Sequence, residues 1–326
     1  MRIIVTGGFG FIGSEFIRLA SKHGHTLLNV DARTYAARVE NLVPMPKGMI
    51  GTVTADICEA NTIHTVFSSF NPHALVNFAA ETHVGRSIAD REAFLRSNVI
   101  GVDVLLNEAC RYMRLVRNPD FKFLQVSTDE VFGSLKGEQL PWSESAPYAP
   151  NNPYAASKAA ADHMVRAYAH TFRLQVVITH GSNTYGPAQH PEKLIPTLTL
   201  QAAAGQPMTL HGDGLNIRDW LHVSNHAEGI LRALEFGMPG ATYNFGGGCE
   251  RTNLDIARMV WSALQEGEPK ISFIEDRPGN DLRYGLDFSA AARDLAWSPG
   301  PLIETQIAEV ARWYAKNPYY KDEYGC

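Results

Sequence analysis

Cysteine is scarce: Cys58, Cys110, Cys249 and Cys326 are scattered through 326 residues and form no paired motif, which argues against a disulfide framework or a structural zinc. Long apolar runs are missing too. The start of the chain passes from Met1-Arg2 through Ile3-Ile4-Val5 straight into glycines, too short a stretch for a signal peptide or a membrane span. There is no basic excess, since 29 Lys and Arg against 34 Asp and Glu leave a net charge of −5. Such a balance offers nothing to hold a polyphosphate backbone. The expectation is a cytoplasmic protein with reduced thiols, without nucleic acid, membrane or metal as partners.

What is present is an ordinary folded composition, 45% apolar and 19% charged. At about 150 residues per domain the length suits one large or two modest domains. Apolar runs at Arg2–Thr6, Thr26–Val30, Ile50–Ala55, Ala74–Phe78, Phe121–Ser127 and Leu174–Thr179 read as strands, with helical periodicity between them. That alternation predicts an α/β fold with a doubly wound parallel sheet. Long helices are expected over 90–113 and 153–171, the second capped by Asn152 with Pro153 at its first position. After about Gly181 the elements shorten, with turns at Gly205-Gln206-Pro207, Gly212-Asp213-Gly214 and Pro278-Gly279-Asn280. The expected division is 1–180 and a smaller lobe over 181–326, with an approximate boundary that the chain can cross.

Thr6-Gly7-Gly8-Phe9-Gly10-Phe11-Ile12-Gly13-Ser14 follows the first strand and opens a helix. Glycines there permit a tight turn and let a pyrophosphate approach the helix N-terminus, the fingerprint of a Rossmann dinucleotide site. Gly7, Gly10, Phe11, Ile12 and Gly13 are therefore cofactor candidates. Asp31, at the end of the second strand, suits ribose hydroxyls and repels a 2′-phosphate, which favours NAD over NADP. Arg33, beside Thr34, weakens that preference because a guanidinium welcomes phosphate. Asp56-Ile57 and Ala79-Ala80 end the third and fourth strands, where adenine and nicotinamide would lie.

Tyr154 and Lys158 are four apart on the helix and share a face. In an apolar cleft the ammonium, with a positive nicotinamide, would stabilise tyrosinate, so Tyr154 could take a hydroxyl proton as hydride leaves the same carbon. The fifth strand ends in Ser127-Thr128-Asp129-Glu130. Thr128 could bond the reacting hydroxyl. Of two adjacent acids, one can stay ionised as a base while the other stays protonated, and elimination of water needs both.

With these motifs in place, the chain resembles the extended short-chain dehydrogenase/reductase superfamily and, within it, the nucleoside-diphosphate-glucose 4,6-dehydratases. The resemblance spans nearly the whole chain. Its carriers are the glycine loop, Ala79–Ile88, Ser127–Gly133, Pro153–Lys158, Pro191–Pro196, Ile217–Trp220 and Asp276–Asp281. It implies a nucleotide-sugar substrate, dTDP-glucose foremost, and an NAD that is reduced and reoxidised within one turnover. It also implies Tyr154 as base at sugar carbon 4 with Lys158 and Thr128 assisting, Glu130 as base at carbon 5, and Asp129 as acid at carbon 6. Substrate contacts implied are Thr82 and Asn183 near the sugar or diphosphate, Glu192, Lys193 and Leu194 along the nucleotide, and Arg218, Asn253, Arg277 and Asn280 around phosphates and base.

Departures from the family pattern stand at Gly85, Asn225 and Asn280 and at His180-Gly181. They leave open a diverted ketone, as in epimerases, 5,6-dehydratases or uronate decarboxylases, and a non-catalytic NAD or sugar-nucleotide scaffold. His222 and His226 have the spacing of two metal ligands on one helical face but no third, so no metal is expected. Trp261, Trp297, Trp313 and the tyrosines at 319, 320 and 324 are expected to pack the second lobe. The two long helices are expected to pair in a homodimer, the superfamily's usual assembly.

Overall fold

Alternate residues of the first strand face opposite ways, so Ile3 and Val5 pack on one side of it and Ile4 on the other. The computed structural model describes residues 1–43, 50–317 and 320; Tyr319, Tyr324 and Cys326 lie outside the described residues. The strands are β1 (Arg2–Thr6), β2 (Thr26–Asp31), β3 (Ile50–Thr54), β4 (Ala74–Asn77), β5 (Lys122–Thr128), β6 (Gln175–Gly181), β7 (Asn183–Tyr185), β8 (Met208–His211), β9 (Ile217–His222), β10 (Thr242–Phe245), β11 (Glu250–Thr252) and β12 (Ile271–Ile274). The helices are α1 (Phe11–Lys22), α2 (Ala60–Phe70), α3 (Val84–Ala89), α4 (Glu92–Leu95), α5 (Gly101–Val116), α6 (Pro153–Phe172), α7 (Leu194–Ala203), α8 (Val223–Phe236), α9 (Asn253–Leu264), α10 (Ser289–Leu295) and α11 (Ile303–Lys316).

Seven parallel strands form the main sheet in the order β10-β6-β5-β4-β1-β2-β3. The order reverses at β1, which has β2 on one side and β4 on the other, and this opens a crevice at the carboxyl ends of the strands. Helices α1 and α8 cover one face with Phe16, Ile17, Ile230 and Leu234. Helices α2, α5 and α6 cover the other with Phe67, Leu105, Leu106 and Val165. Both faces are therefore apolar, and the strands read as near-continuous hydrophobic runs.

Each expected strand forms, with ends shifted by a residue or two. The chain beyond residue 181 contributes β10, α8 and α10 to the sheet layer, while α7, α9 and α11 pack around Ile195, Leu198, Val260 and Val310 in a separate core. Trp261 and Trp313 join that second core, as does Tyr320. Trp297 does not: it packs on Phe245 of β10, because α10 lies on the main sheet.

The helix expected over 90–113 forms two residues late, runs to Val116 and contains a π turn. Asp90 closes α3, helix restarts at Glu92, and Arg96–Ile100 take a wider π turn before α5 runs on to Val116. The wide turn seats Asn98, whose amide bonds both backbone groups of Glu81 and the Ser157 hydroxyl, tying the segment to the cleft wall and to α6. Apolar periodicity runs through such a turn without revealing it.

Candidate active site

Gly7 has a φ of +71°, and a Cβ there would come within 2.8 Å of the Ala79 backbone nitrogen. A Cβ on Gly13 would overlap the Gly7 carbonyl oxygen. Only bare backbone fits this bend, so the N-terminus of α1 meets the crevice with no side chain in the way, as a pyrophosphate requires. Asp31 accepts from the Phe9 and Arg33 amides at 2.9 and 2.8 Å, which pins its carboxylate beside the loop. Burial nonetheless raises its pKa, the two amides only partly opposing that.

The crevice is a cleft of about 370 Å³. It is walled at one end by Gly10, Phe11, Ile12, Thr34, Asp56 and Ile57, and at the other by Thr82, Thr128, Asp129, Glu130, Tyr154 and Lys158. Ala79 and Ala80 line it as well, as do Asn183, Glu192 and Lys193 from after β6. Arg33 is not part of the wall. Its φ of +52° turns the guanidinium over the Phe9 ring, 5.4 Å from the centroid. Leu194 packs into the second core instead.

Helix α6 starts where Asn152 accepts from the Ala155 amide at 2.8 Å, with Pro153 at the first position. One turn in, Tyr154 and Lys158 face the cleft, both buried. The Lys158 ammonium donates to the Val126 carbonyl at 2.7 Å, and burial pushes its pKa down to about 8 against the opposing pull of Asp162. Burial, then the Glu130 carboxylate, raises the Tyr154 hydroxyl above its ordinary value, while its hydrogen bond to Thr128 opposes the rise.

At the end of β5 a 3₁₀ turn over Asp129–Phe132 presents the two acids. Asp129 is 3% exposed, accepts from the Thr128 hydroxyl at 3.1 Å through Oδ1, and has no partner for Oδ2 among the described residues. Burial, reinforced by the charge of Glu130, raises its pKa well above the usual carboxylate value, which favours its protonated form. Glu130 instead accepts from the Asn152 amide at 3.0 Å. The two neighbours thus stand in different environments.

Arg218, Arg277 and Asn280 lie outside the cleft wall and form a group of their own. Asn280 Oδ1 accepts from Arg218 and from Arg277, each at 3.1 Å, and Arg218 stacks on Tyr284 with its guanidinium carbon 4.6 Å from the ring centroid. Asn280 thereby holds two cationic forks together, an arrangement suited to a diphosphate. Asn253 opens α9, with its Oδ1 buried and unpaired among the described residues.

Sequence reasoning missed the support behind Lys158. Asp162, one turn further along α6, accepts from Ser127 at 2.6 Å and from Tyr148 at 3.1 Å, and lies 3.4 Å from His180; Asp162 and His180 are fully buried. Position i+4 from Lys158 was the available signal for Asp162, whereas nothing local pointed to Tyr148. His222 and His226 do not converge: His222 bonds Ser224 and caps α8, while His226 bonds Thr184.

Comparison with known proteins agrees with this geometry. The family model described as GDP-mannose 4,6 dehydratase matches residues 4–310. The dTDP-glucose 4,6-dehydratase of Xanthomonas campestris pv. campestris is 42% identical, over 96% of this chain and 93% of that one. That of Neisseria gonorrhoeae is 40% identical, over 97% and 96%. The crystal structure of dTDP-glucose 4,6-dehydratase from Streptomyces venezuelae with NAD bound superposes with a TM-score of 0.93 at 38% identity, covering 99% of each chain. By its glycine loop, its Tyr-Lys helix, its acid pair and its match along nearly the whole length, this chain belongs to the GDP-mannose 4,6 dehydratase family of nucleotide-sugar dehydratases.

Proposed function

We propose that the protein is an NAD-dependent nucleoside-diphosphate-glucose 4,6-dehydratase that converts dTDP-glucose to its 4-keto-6-deoxy product. The observation that carries the reading is the pair Asp129 and Glu130, a buried carboxyl whose pKa is raised beside a carboxylate held by Asn152, one strand end away from Tyr154. The relatives' names, dTDP-glucose 4,6-dehydratase, support the substrate.

The glycine bend at Gly7, Gly10 and Gly13 fits a pyrophosphate, with Asp31, Thr34, Asp56, Ile57, Ala79 and Ala80 along the rest of the dinucleotide. NAD supplies the hydride acceptor for carbon 4 and the donor for carbon 6. Tyr154, as a tyrosinate whose charge Lys158 offsets, takes the proton of the carbon 4 hydroxyl. Thr128 orients the same hydroxyl. Glu130 removes the carbon 5 proton, made acidic by the adjacent ketone, and Asp129 gives its proton to the departing carbon 6 hydroxyl. Remote contacts hold the hexose in register: Thr82 and Asn183 at the sugar, Glu192 and Lys193 along the nucleotide, and the Arg218–Asn280–Arg277 group at the phosphates.

We divide the roles at about residue 180, the first part holding cofactor and acid-base groups and the second mainly the nucleotide. A homodimer through α5 and α6 suits the exposed Ile100, Leu115, Val116 and Phe172 on and beside these helices. Among the described residues no helix is long and apolar enough to cross a membrane. We place the reaction in the cytoplasm, with other nucleotide-sugar chemistry.

The test is dTDP-glucose deuterated at carbon 4, followed by mass spectrometry and NMR. Loss of one water with the deuterium recovered at carbon 6 is expected. Deuterium in released NADH, unchanged mass, loss of carbon dioxide or an alkene product would each refute the reading.

A further inference from the structure

Gly181 and His226 meet at the end of the sheet. Strand register pairs Gly181 of β6 with Thr128 of β5, so it stands about 5 Å from the residue that bonds Tyr154. A Cβ on Gly181 would overlap Cε1 of His226 and lie 2.5 Å from its Nε2. The bare glycine is what admits the ring. His226 is 2% exposed on the first turn of α8, and it lines the cleft together with Gly181, Ser182 and Thr184.

The hydrogen-bond network assigns the ring's tautomer. Thr184 Oγ1 lies 3.1 Å from the Ser182 carbonyl oxygen and 2.8 Å from His226 Nδ1. A hydroxyl has one proton and the carbonyl can only accept, so Thr184 donates to Ser182 and accepts from Nδ1–H. Burial pushes the His226 pKa down to about 4, so the ring is neutral and Nε2 carries a lone pair. That lone pair has no partner among the described residues.

A lone pair repels phosphate oxygens and calls for a donor. The adenine amino group belongs with Asp56 and Ile57, across β1 on the β2–β3 side of the sheet. The carboxamide N–H of nicotinamide belongs on the β5–β6 side, with Thr128 and Tyr154. We propose that His226 Nε2 accepts a hydrogen bond from the nicotinamide carboxamide and so selects and orients that ring, with Gly181 making the room. The inference rests on NAD being the cofactor.

The experiment measures binding rather than turnover. Protein freed of dinucleotide is titrated calorimetrically with NAD and with 3-acetylpyridine adenine dinucleotide, whose methyl ketone has no N–H to donate. The wild type is expected to prefer NAD by roughly threefold to tenfold, the worth of one hydrogen bond. His226→Phe should bind both equally, and His226→Gln, which keeps an accepting oxygen, should recover part of the preference. Gly181→Ala, whose methyl displaces the ring, should mimic His226→Phe and covers the case where that variant does not fold. Equal affinities in the wild type, or a preference that survives in His226→Phe or Gly181→Ala, would overturn the proposal. Failure of the wild type to bind either dinucleotide would instead overturn the cofactor reading.

Discussion

Asn152 and Glu130 are joined by a hydrogen bond of 3.0 Å, from the Asn152 amide nitrogen to Glu130 Oε2, while the other end of the same amide caps α6. One side chain therefore sets both the start of the helix that carries Tyr154 and the orientation of the neighbouring carboxylate.

Replacing it separates the two roles. Asn152→Ala loses the cap, at about 1 kcal/mol of stability, and releases Glu130. Asn152→Asp keeps the cap and adds like charge beside Glu130. Thermal melts should show a pH-independent loss from the missing cap in the alanine variant and, in the aspartate variant, a loss from like charge that eases as pH falls, while both lose turnover by on the order of tenfold, the worth of a hydrogen bond to a charged group. Full activity in Asn152→Asp would contradict the positioning role.

Glu130→Gln should stop exchange of the carbon 5 proton with deuterated water and reduce turnover by about a hundredfold to ten-thousandfold, the usual worth of a general base. NMR of recovered substrate and product reads it. Undiminished exchange would assign the base to another group.

Asp129→Asn should abolish dehydration yet stabilise the fold. A carboxyl whose folded pKa is raised holds its proton more tightly folded than unfolded, so it costs stability above its unfolded pKa. The amide has no such cost. The variant should melt higher than wild type at pH 7, with the difference shrinking as pH falls toward 4. A gap independent of pH would show that Asp129 ionises normally.

His180→Ala removes one of the groups around buried Asp162, beside Ser127 and Tyr148. The expected cost is about 1–3 kcal/mol, as for a buried polar network left partly unsatisfied. Urea denaturation measures it, and a change below about 0.5 kcal/mol, the range of ordinary surface substitutions, would place the network outside the supports of the fold.

Gly13→Ala puts a methyl against the Gly7 carbonyl. NAD binding followed by calorimetry should fall at least tenfold, an expected loss of about 1.4 kcal/mol, with circular dichroism unchanged.

The sheet, its doubly wound character, the glycine bend and the Tyr154–Lys158 pair were all legible in the amino-acid order. Strand alternation, turn chemistry and i,i+4 spacing act over a few residues, so short segments carry them in full. The helix over 90–113 was legible as well, but not its π turn, which keeps the apolar pattern while changing the pitch. Trp297 was assigned to the wrong core because the destination of α10 depends on what else the chain has already covered. Only the tertiary structure brought Asn152 to Glu130, Asn280 to Arg218, and His226 to Gly181. Those meetings depend on how distant elements pack, and close packing admits one arrangement that no local pattern encodes.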